Sequence, residues 1–236
     1  MAKYKVLSTK KLEPSLVKQA GESDIELVEQ EFISIQPIVS KEKQEEISHW
    51  LMNSNADVAF TSANAVEAVK SYLDRNSSRN FYSISGRTRS TLLLHVRNEQ
   101  IIATADYGKD LAGKIIKQQP KEIIFFCGNK RRDELPGTLK EAGIKVNEVT
   151  VYETVETPVV AEDDMDAILF FSPSAVQSFF SINQLKENVV CFAVGTTTAE
   201  SISHFTKNKT IICEQPSQEA MLNAVKIYFQ NTNQYS

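Results

Sequence analysis

Phe60-Thr61-Ser62-Ala63-Asn64-Ala65-Val66 returns, 110 residues further on, as Phe170-Phe171-Ser172-Pro173-Ser174-Ala175-Val176. A second pair, Ser85-Gly86-Arg87-Thr88 and Val194-Gly195-Thr196-Thr197, follows at an offset of 109. Two short motifs kept in step over so long a separation mark a chain built from two related halves. In each copy of the first motif an apolar run ends in a small hydroxyl-bearing turn, and apolar residues then resume at helical spacing. That is how a buried strand feeds the first turn of a helix. Such a turn presents backbone N–H groups and favours an anion, and two of them facing one another would make a cleft for an anionic ligand.

Working outward from the motif, strand and helix patterns alternate. Strands are expected at Tyr4–Ser8, Ile25–Val28, Asp57–Phe60, Phe81–Ile84, Gln100–Ala103, Glu122–Cys127, Ala167–Phe171, Val189–Val194 and Thr210–Cys213. Helices are expected from Pro14 to Ala20, Lys41 to Met52, Ala63 to Leu73, Thr88 to Val96 and Lys109 to Gln118, then before Ala142-Gly143, up to Phe180, from Thr197 to Phe205 and from Gln218 to Phe229. This alternation is the signature of a parallel sheet covered by helices. Two segments differ: Phe32–Val39, interrupted by Pro37, and Lys145–Glu153 alternate apolar with polar residues, as half-exposed strands do. We read the first as a linker and the two together as a paired connection. The last third of the chain lacks one βαβ unit, which the N-terminal residues can supply.

The expected fold class is therefore α/β, with two flavodoxin-like or Rossmann-like parallel-sheet domains joined by a two-stranded β bridge. Residues 1–35 and 156–236 would form a discontinuous first domain, residues 39–150 an inserted second domain, and the bridge strands would lie near 33–39 and 146–157.

Composition bounds the chemistry. With 42% hydrophobic and 24% charged residues the chain is an ordinary globular one, and a net charge of -4 argues against nucleic-acid or membrane-surface binding. Any anion must be bound by a local pocket. The N-terminal stretch has no apolar segment of signal-peptide length, and no run reaches the roughly 18 apolar residues of a membrane span, so a cytoplasmic location is expected. Cys127, Cys191 and Cys213 are odd in number, widely spaced and set near the ends of apolar runs, which suits buried free thiols. His49, His95 and His204 are scattered and no Cys/His group has zinc-ligand spacing, so no metal is expected. Neither G-x-x-x-x-G-K-[ST] nor G-x-G-x-x-G occurs, and nucleotide binding has no positive signal.

The candidate ligand-binding residues are the hydroxyl turns. They are Thr61, Ser62 and Asn64 in one half, Ser172 and Ser174 in the other, and, at the second pair of turns, Gly86 with Thr88 and the run Thr196, Thr197 and Thr198. Any one of them could be a plain helix cap. All four turns, however, fall outside the carboxyl ends of strands, where open α/β sheets bind their ligands. Gly128, Asn129 and Lys130 with Arg131 and Arg132 also follow a strand end directly, although most basic runs are solvated helix faces. Arg87 and Arg89 flank Thr88 in the same way. Tyr152 lies on the second half-exposed strand; phenols are neutral proton donors at pH 7, and an ordinary strand tyrosine would look the same. Cys127, beside Lys130 and Arg131, has the setting of an activated thiolate but also the apolar strand of a packing residue.

Phe125-Phe126-Cys127-Gly128-Asn129-Lys130-Arg131-Arg132-Asp133-Glu134-Leu135-Pro136, with Leu139, Gly143, Ile144 and Val149-Thr150-Val151-Tyr152-Glu153-Thr154, resembles the uroporphyrinogen-III synthase family. Phe60-Thr61-Ser62, Phe170 to Ser174 and Gly195 to Ala199 match the same family in order and spacing, so the resemblance covers nearly the whole chain. It implies two α/β domains joined by a β bridge, with the active site between them. The implied reaction is cofactor-independent cyclisation of the linear tetrapyrrole hydroxymethylbilane, with inversion of the last ring and loss of water. It also implies a monomer in transient contact with the deaminase that supplies the substrate. Thr88 and Tyr152 occupy the family's threonine and tyrosine positions, and Tyr152 is the expected catalytic residue. Two departures stand out: Ser8-Thr9-Lys10 replaces a commoner Thr-Arg, and Ile84-Ser85-Gly86-Arg87-Thr88 replaces Val-Gly-x-x-Thr. From the residues alone, a non-catalytic two-lobed module binding a phosphosugar or similar anion is the alternative reading.

Overall fold

A computed structural model describes residues 3–233. The chain divides into two compact units, one made of the residues up to Ser34 together with those from Val155 onward, the other of Ile35–Thr154. The first unit contains β1 (Tyr4–Ser8), α1 (Pro14–Gly21) and β2 (Ile25–Glu29), then β9 (Ala167–Phe170), α7 (Pro173–Phe180), β10 (Val190–Ala193), α8 (Thr196–Ser203), β11 (Thr210–Ile212) and α9 (Gln218–Asn233). The second contains α2 (Lys41–Met52), β4 (Asp57–Phe60), α3 (Ala63–Val69), β5 (Phe81–Ile84), α4 (Arg87–Leu93), β6 (Ile101–Ala105), α5 (Gly108–Gln118), β7 (Glu122–Gly128) and α6 (Glu134–Glu141). Strands β3 (Ile33–Pro37) and β8 (Lys145–Glu156) run through the two points where the chain passes from one unit to the other.

Both sheets carry the same arrangement. Their orders are β11-β10-β9-β1-β2 and β6-β5-β4-β7-β8-β3. In each, the strand that enters the repeated motif is followed on one side by the next two strands of the chain, β10 and β11 or β5 and β6, and is bordered on the other side by β1 or β7. The switch points lie between β9 and β1 and between β4 and β7, which pair in parallel. At a switch point the connections leave in opposite directions, and a crevice opens at the strand ends.

The central strands β4, β7, β9 and β10 are buried on both faces, which is why they read as continuous apolar runs rather than alternating ones. In the first unit Val6, Leu169 and Phe192 pack with Leu16 of α1 and Leu222 and Val225 of α9. Leu7, Ile168 and Cys191 face Val176 and Phe179 of α7 and Ile202 of α8. The second unit is layered alike, with Val58, Phe60, Phe126 and Val149 against α2, α3 and α4, and Ala59, Phe125 and Cys127 against α5 and α6. Phe60 stacks on Phe126 at 5.8 Å and on Phe81 at 6.5 Å between ring centroids, which fixes the end of β4 from which Thr61 and Ser62 project.

Several expectations needed correction. Phe32, read as part of a linker, is fully buried beside Phe179 at 5.3 Å, and only the residues after it form the edge strand β3. The helix from Ala63 stops at Val69 and tightens into a 3₁₀ turn over Lys70–Tyr72. Helix α4 ends at Leu93, short of Val96, because the guanidinium of Arg75 takes the carbonyls of Leu93 and Leu94 at 3.2 and 2.9 Å. A side chain from outside a helix thus satisfies groups that a further turn would have used.

Candidate functional site

The switch point of the second unit gathers three of the sequence candidates. Ser62 is the N-cap of α3, its Oγ accepting the Asn64 N–H at 3.2 Å. Tyr152, 90 positions away on β8, donates its phenol hydrogen to the same Oγ at 3.1 Å. Gly128, the last residue of β7, lies directly beneath the Tyr152 ring. A Cβ at residue 128 would fall 2.4 Å from Cζ and 2.8 Å from the phenol oxygen of Tyr152, so no larger residue fits under the ring as it stands. Among the described residues both Ser62 and Tyr152 are half-buried, with one side accessible.

A register change in the sheet brings the tyrosine there. Strands β7 and β8 pair evenly from Glu122 with Lys145 up to Cys127 with Thr150, and then Gly128 stands opposite Tyr152, with Val151 passed over. A bulge of this kind re-aims the next side chain. Asn129 fixes the result from both sides, its N–H donating to the Tyr152 carbonyl at 3.2 Å and its side-chain oxygen accepting the Thr154 N–H at 2.9 Å. Asn129 is thereby committed to the backbone of β8, and Lys130 continues outward as an exposed turn residue.

Gly86 has a different reason to be glycine. It precedes α4 at φ 67°, in the region that disfavours side chains, and a Cβ there would meet open space. Thr88 follows in the first turn of α4 but is only 4% exposed, and the residue in the equivalent buried place in α8 is Thr198, 2% exposed, rather than the half-buried Thr197 that the 109-residue offset pairs with it. Thr88 and Thr198 fill the space beneath the turn, so their backbones rather than their hydroxyls shape what a ligand meets. Thr61 and Asn64 remain half-exposed on either side of Ser62.

In the first unit Ser172 is the N-cap of α7, with its Oγ accepting the Ala175 N–H at 3.1 Å, and Ser174 is half-exposed in the first turn. Thr196 and Thr197 open α8 after Gly195. Thr9, which sequence reasoning passed over, ties this switch point together. Its N–H and hydroxyl both reach the Leu169 carbonyl, at 3.0 and 2.8 Å, and its Oγ1 accepts the Phe171 N–H at 3.3 Å. The available signal was a hydroxyl pair, Ser8-Thr9, directly after an apolar strand, as at Thr61-Ser62.

Other candidates are engaged elsewhere. Arg131 pairs with Asp133 at 2.9 Å and with Glu148, which also holds Lys140 at 2.6 Å. Arg89 donates to the Asn98 side chain at 2.6 Å. Burial pushes the Cys127 thiol above its ordinary value, the opposite of an activated thiolate, and its sulfur lies 3.8 Å from the Val149 carbonyl. All three cysteines are buried and free. No group of three or more His, Cys, Asp or Glu among the described residues is placed to hold a metal, and no described helix is long and apolar enough to cross a membrane.

Comparison with known proteins gives a consistent result. The family model described as Uroporphyrinogen-III synthase HemD matches residues 15–223. A uroporphyrinogen-III synthase of Saccharomyces cerevisiae (strain ATCC 204508 / S288c) is 27% identical over 137 residues, covering 50% of this chain and 50% of that protein. The matched stretch thus spans about half the length of that relative. The crystal structure of uroporphyrinogen-III synthetase from Helicobacter pylori 26695 superposes with a TM-score of 0.67 at 18% identity, over 95% of this chain and 99% of that one. A mutant uroporphyrinogen III synthase from the extremely thermophilic bacterium Thermus thermophilus gives 0.67 at 14% identity, over 97% and 99%. At these identities the two structures speak for the fold alone.

Proposed function

The chain belongs to the uroporphyrinogen-III synthase family, and from that membership we propose that it cyclises hydroxymethylbilane to uroporphyrinogen III, inverting the last ring and releasing water. The observation that ties the reading to particular atoms is the Tyr152–Ser62 hydrogen bond over Gly128, at a switch point where α/β sheets bind ligands. The reaction begins with loss of a hydroxymethyl oxygen. Electrons from the attached pyrrole expel it, and a proton delivered to that oxygen turns the leaving group into water. In this reading the phenol of Tyr152 is the source of the proton. The cation that remains is attacked by the substituted carbon of the last ring. The bond from that carbon to its original methylene bridge then breaks, the freed bridge carbon bonds instead to the unsubstituted carbon on the other side of the ring, and that carbon gives up its hydrogen as a proton, which restores the phenol. Every atom is accounted for without oxidant or reductant, so the proposed reaction calls for no redox cofactor.

The substrate bears acetate and propionate carboxylates along its edge. Thr61, Ser62, Asn64, Gly86, Thr88, Gly128, Asn129 and Lys130 in one unit, and Ser172, Ser174 and Thr196 to Thr198 in the other, are the residues we propose for binding them. Hydroxyls and helix-start N–H groups stabilise carboxylates without a dedicated arginine. We further propose that the protein works as a monomer that receives its substrate from a deaminase by transient contact.

The test at the residue level is Tyr152→Phe. General acid help is worth about a hundredfold or more in many enzymes, but a pyrrole expels hydroxide readily, so turnover is expected to fall about ten- to a hundredfold with isomer III still the main enzymatic product. Wild-type turnover in this variant would reduce Tyr152 to a packing residue.

A further inference from the structure

The Ser62 hydroxyl already accepts as many hydrogen bonds as it can. Its oxygen takes the Asn64 N–H at 3.2 Å and the Tyr152 phenol at 3.1 Å. A hydroxyl offers two lone pairs and one hydrogen, so what Ser62 has left to give a ligand is its own proton. The direction of the Tyr152 bond follows from acidity: a phenol is a far stronger acid than an aliphatic alcohol, and ring delocalisation makes its oxygen the poorer acceptor. The seat over Gly128 keeps the phenol oxygen within reach of Ser62, and Asn129 holds the strand behind it. Two accepted hydrogen bonds also polarise the Ser62 O–H and strengthen it as a donor.

We propose that Ser62 is the group that hands the proton to the departing hydroxyl, and that Tyr152 recharges Ser62 from behind. This rests on the functional reading above and assigns the final donor within it. In the step, the Ser62 O–H bond breaks as an O–H bond forms on the hydroxymethyl oxygen. The carbon–oxygen bond then opens toward water, and the phenol hydrogen moves to the Ser62 oxygen, leaving Tyr152 as phenolate. When a carbon of the closed ring loses its proton, the relay runs backward and both hydroxyls are restored. No proton is gained or lost overall.

A double-mutant cycle on the full chain tests this, with kcat and KM measured on hydroxymethylbilane and folding checked by denaturation. Ser62→Ala and Tyr152→Phe should each lower kcat about ten- to a hundredfold, and the double variant should fall no more than about threefold below the worse single, because each removes the same relay. Ser62→Thr should recover kcat to within about fivefold of wild type, since threonine both caps a helix and donates a proton. Ser62→Asn keeps the cap of α3 but cannot pass a proton, and should behave like Ser62→Ala. Turnover in mixtures of light and heavy water should depend on isotope content along a curve for the wild type, from two protons in motion, and along a straight line for Tyr152→Phe. Wild-type kcat in Ser62→Asn, or losses that multiply in the double variant, would overturn the relay while leaving the function intact. A wild-type protein that yields only the spontaneous isomer would overturn the functional reading and the relay with it.

Discussion

Replacing Gly128 by alanine isolates the seat of Tyr152 from everything else at the switch point. The added Cβ would stand 2.4 Å from Cζ, 2.5 Å from Cε2 and 2.8 Å from the phenol oxygen, where ordinary contacts begin at 3.4 Å. The ring tip must therefore retreat by about 1 Å, and the Ser62 hydrogen bond, 3.1 Å long at rest, cannot survive that retreat in line. Overpacking of this kind costs about 1–3 kcal/mol, and the lower end is expected here because the half-buried ring can swing toward its open side. The loss in kcat should be larger than the stability loss suggests, about a hundredfold, since misplacing a reacting group by about 1 Å has that effect. Urea denaturation and steady-state kinetics on the same preparation separate the two. Trimming the obstacle supplies the control: in a Tyr152→Ala background the added methyl meets no ring, so Gly128→Ala should then cost less than about 0.5 kcal/mol. Wild-type turnover and stability in Gly128→Ala would refute the ring position from which the argument starts.

Three further outcomes bear on the scaffold. Arg79 donates to the Leu51 carbonyl at 3.0 Å, to Trp50 at 3.3 Å, and to Ser54 and Ala56, and Arg79→Met should destabilise the second unit by about 3 kcal/mol in urea; a change under about 0.5 kcal/mol would contradict the capping role. Thr9→Val keeps shape and leaves the Leu169 carbonyl to the backbone N–H of residue 9 alone, but strands the Phe171 N–H, and should cost about 1–2 kcal/mol; a stabilised variant would contradict the tether. Burial pushes the Cys191 thiol up to about 12 and raises Cys127 and Cys213 as well. An unfolded thiol titrates near 8.5, so this contribution is fully present below about pH 8.5 and is lost as pH rises toward the folded value, by about 1.4 kcal/mol per pH unit per thiol. Cys191→Ala should flatten that alkaline decline in denaturation midpoints, and an unchanged slope would contradict the burial account.

Much of the architecture was legible because parallel strands buried on both faces leave an unambiguous trace. Ile123 to Cys127 and Ala167 to Phe170 are apolar without interruption, and the sheet buries every one of them. The repeated hydroxyl turns marked where strands end, and in both sheets the strand leading into the repeat borders the switch point. What escaped reading depended on partners far along the chain. Helix α4 ends where Arg75 reaches its carbonyls, and Phe32 is core because Phe179 lies beside it; neither fact has a local signature. The site shows the same limit more sharply. Ser62, Gly128 and Tyr152 could each be singled out as a strand-end or strand residue, but their meeting requires the slip in pairing that sets Gly128 opposite Tyr152. Alternation within β8 does not announce that slip. Equally, Arg131 reads as part of a basic run, whereas its guanidinium is spent on Asp133 and Glu148.

The most direct test of the central claim is the isomer made by the purified chain. Hydroxymethylbilane generated by its deaminase is passed to the protein, and the cyclised products are separated by chromatography against a control without it. The account predicts cyclisation faster than the spontaneous reaction, with the inverted isomer III dominant. Isomer I alone, formed at the spontaneous rate, would contradict it.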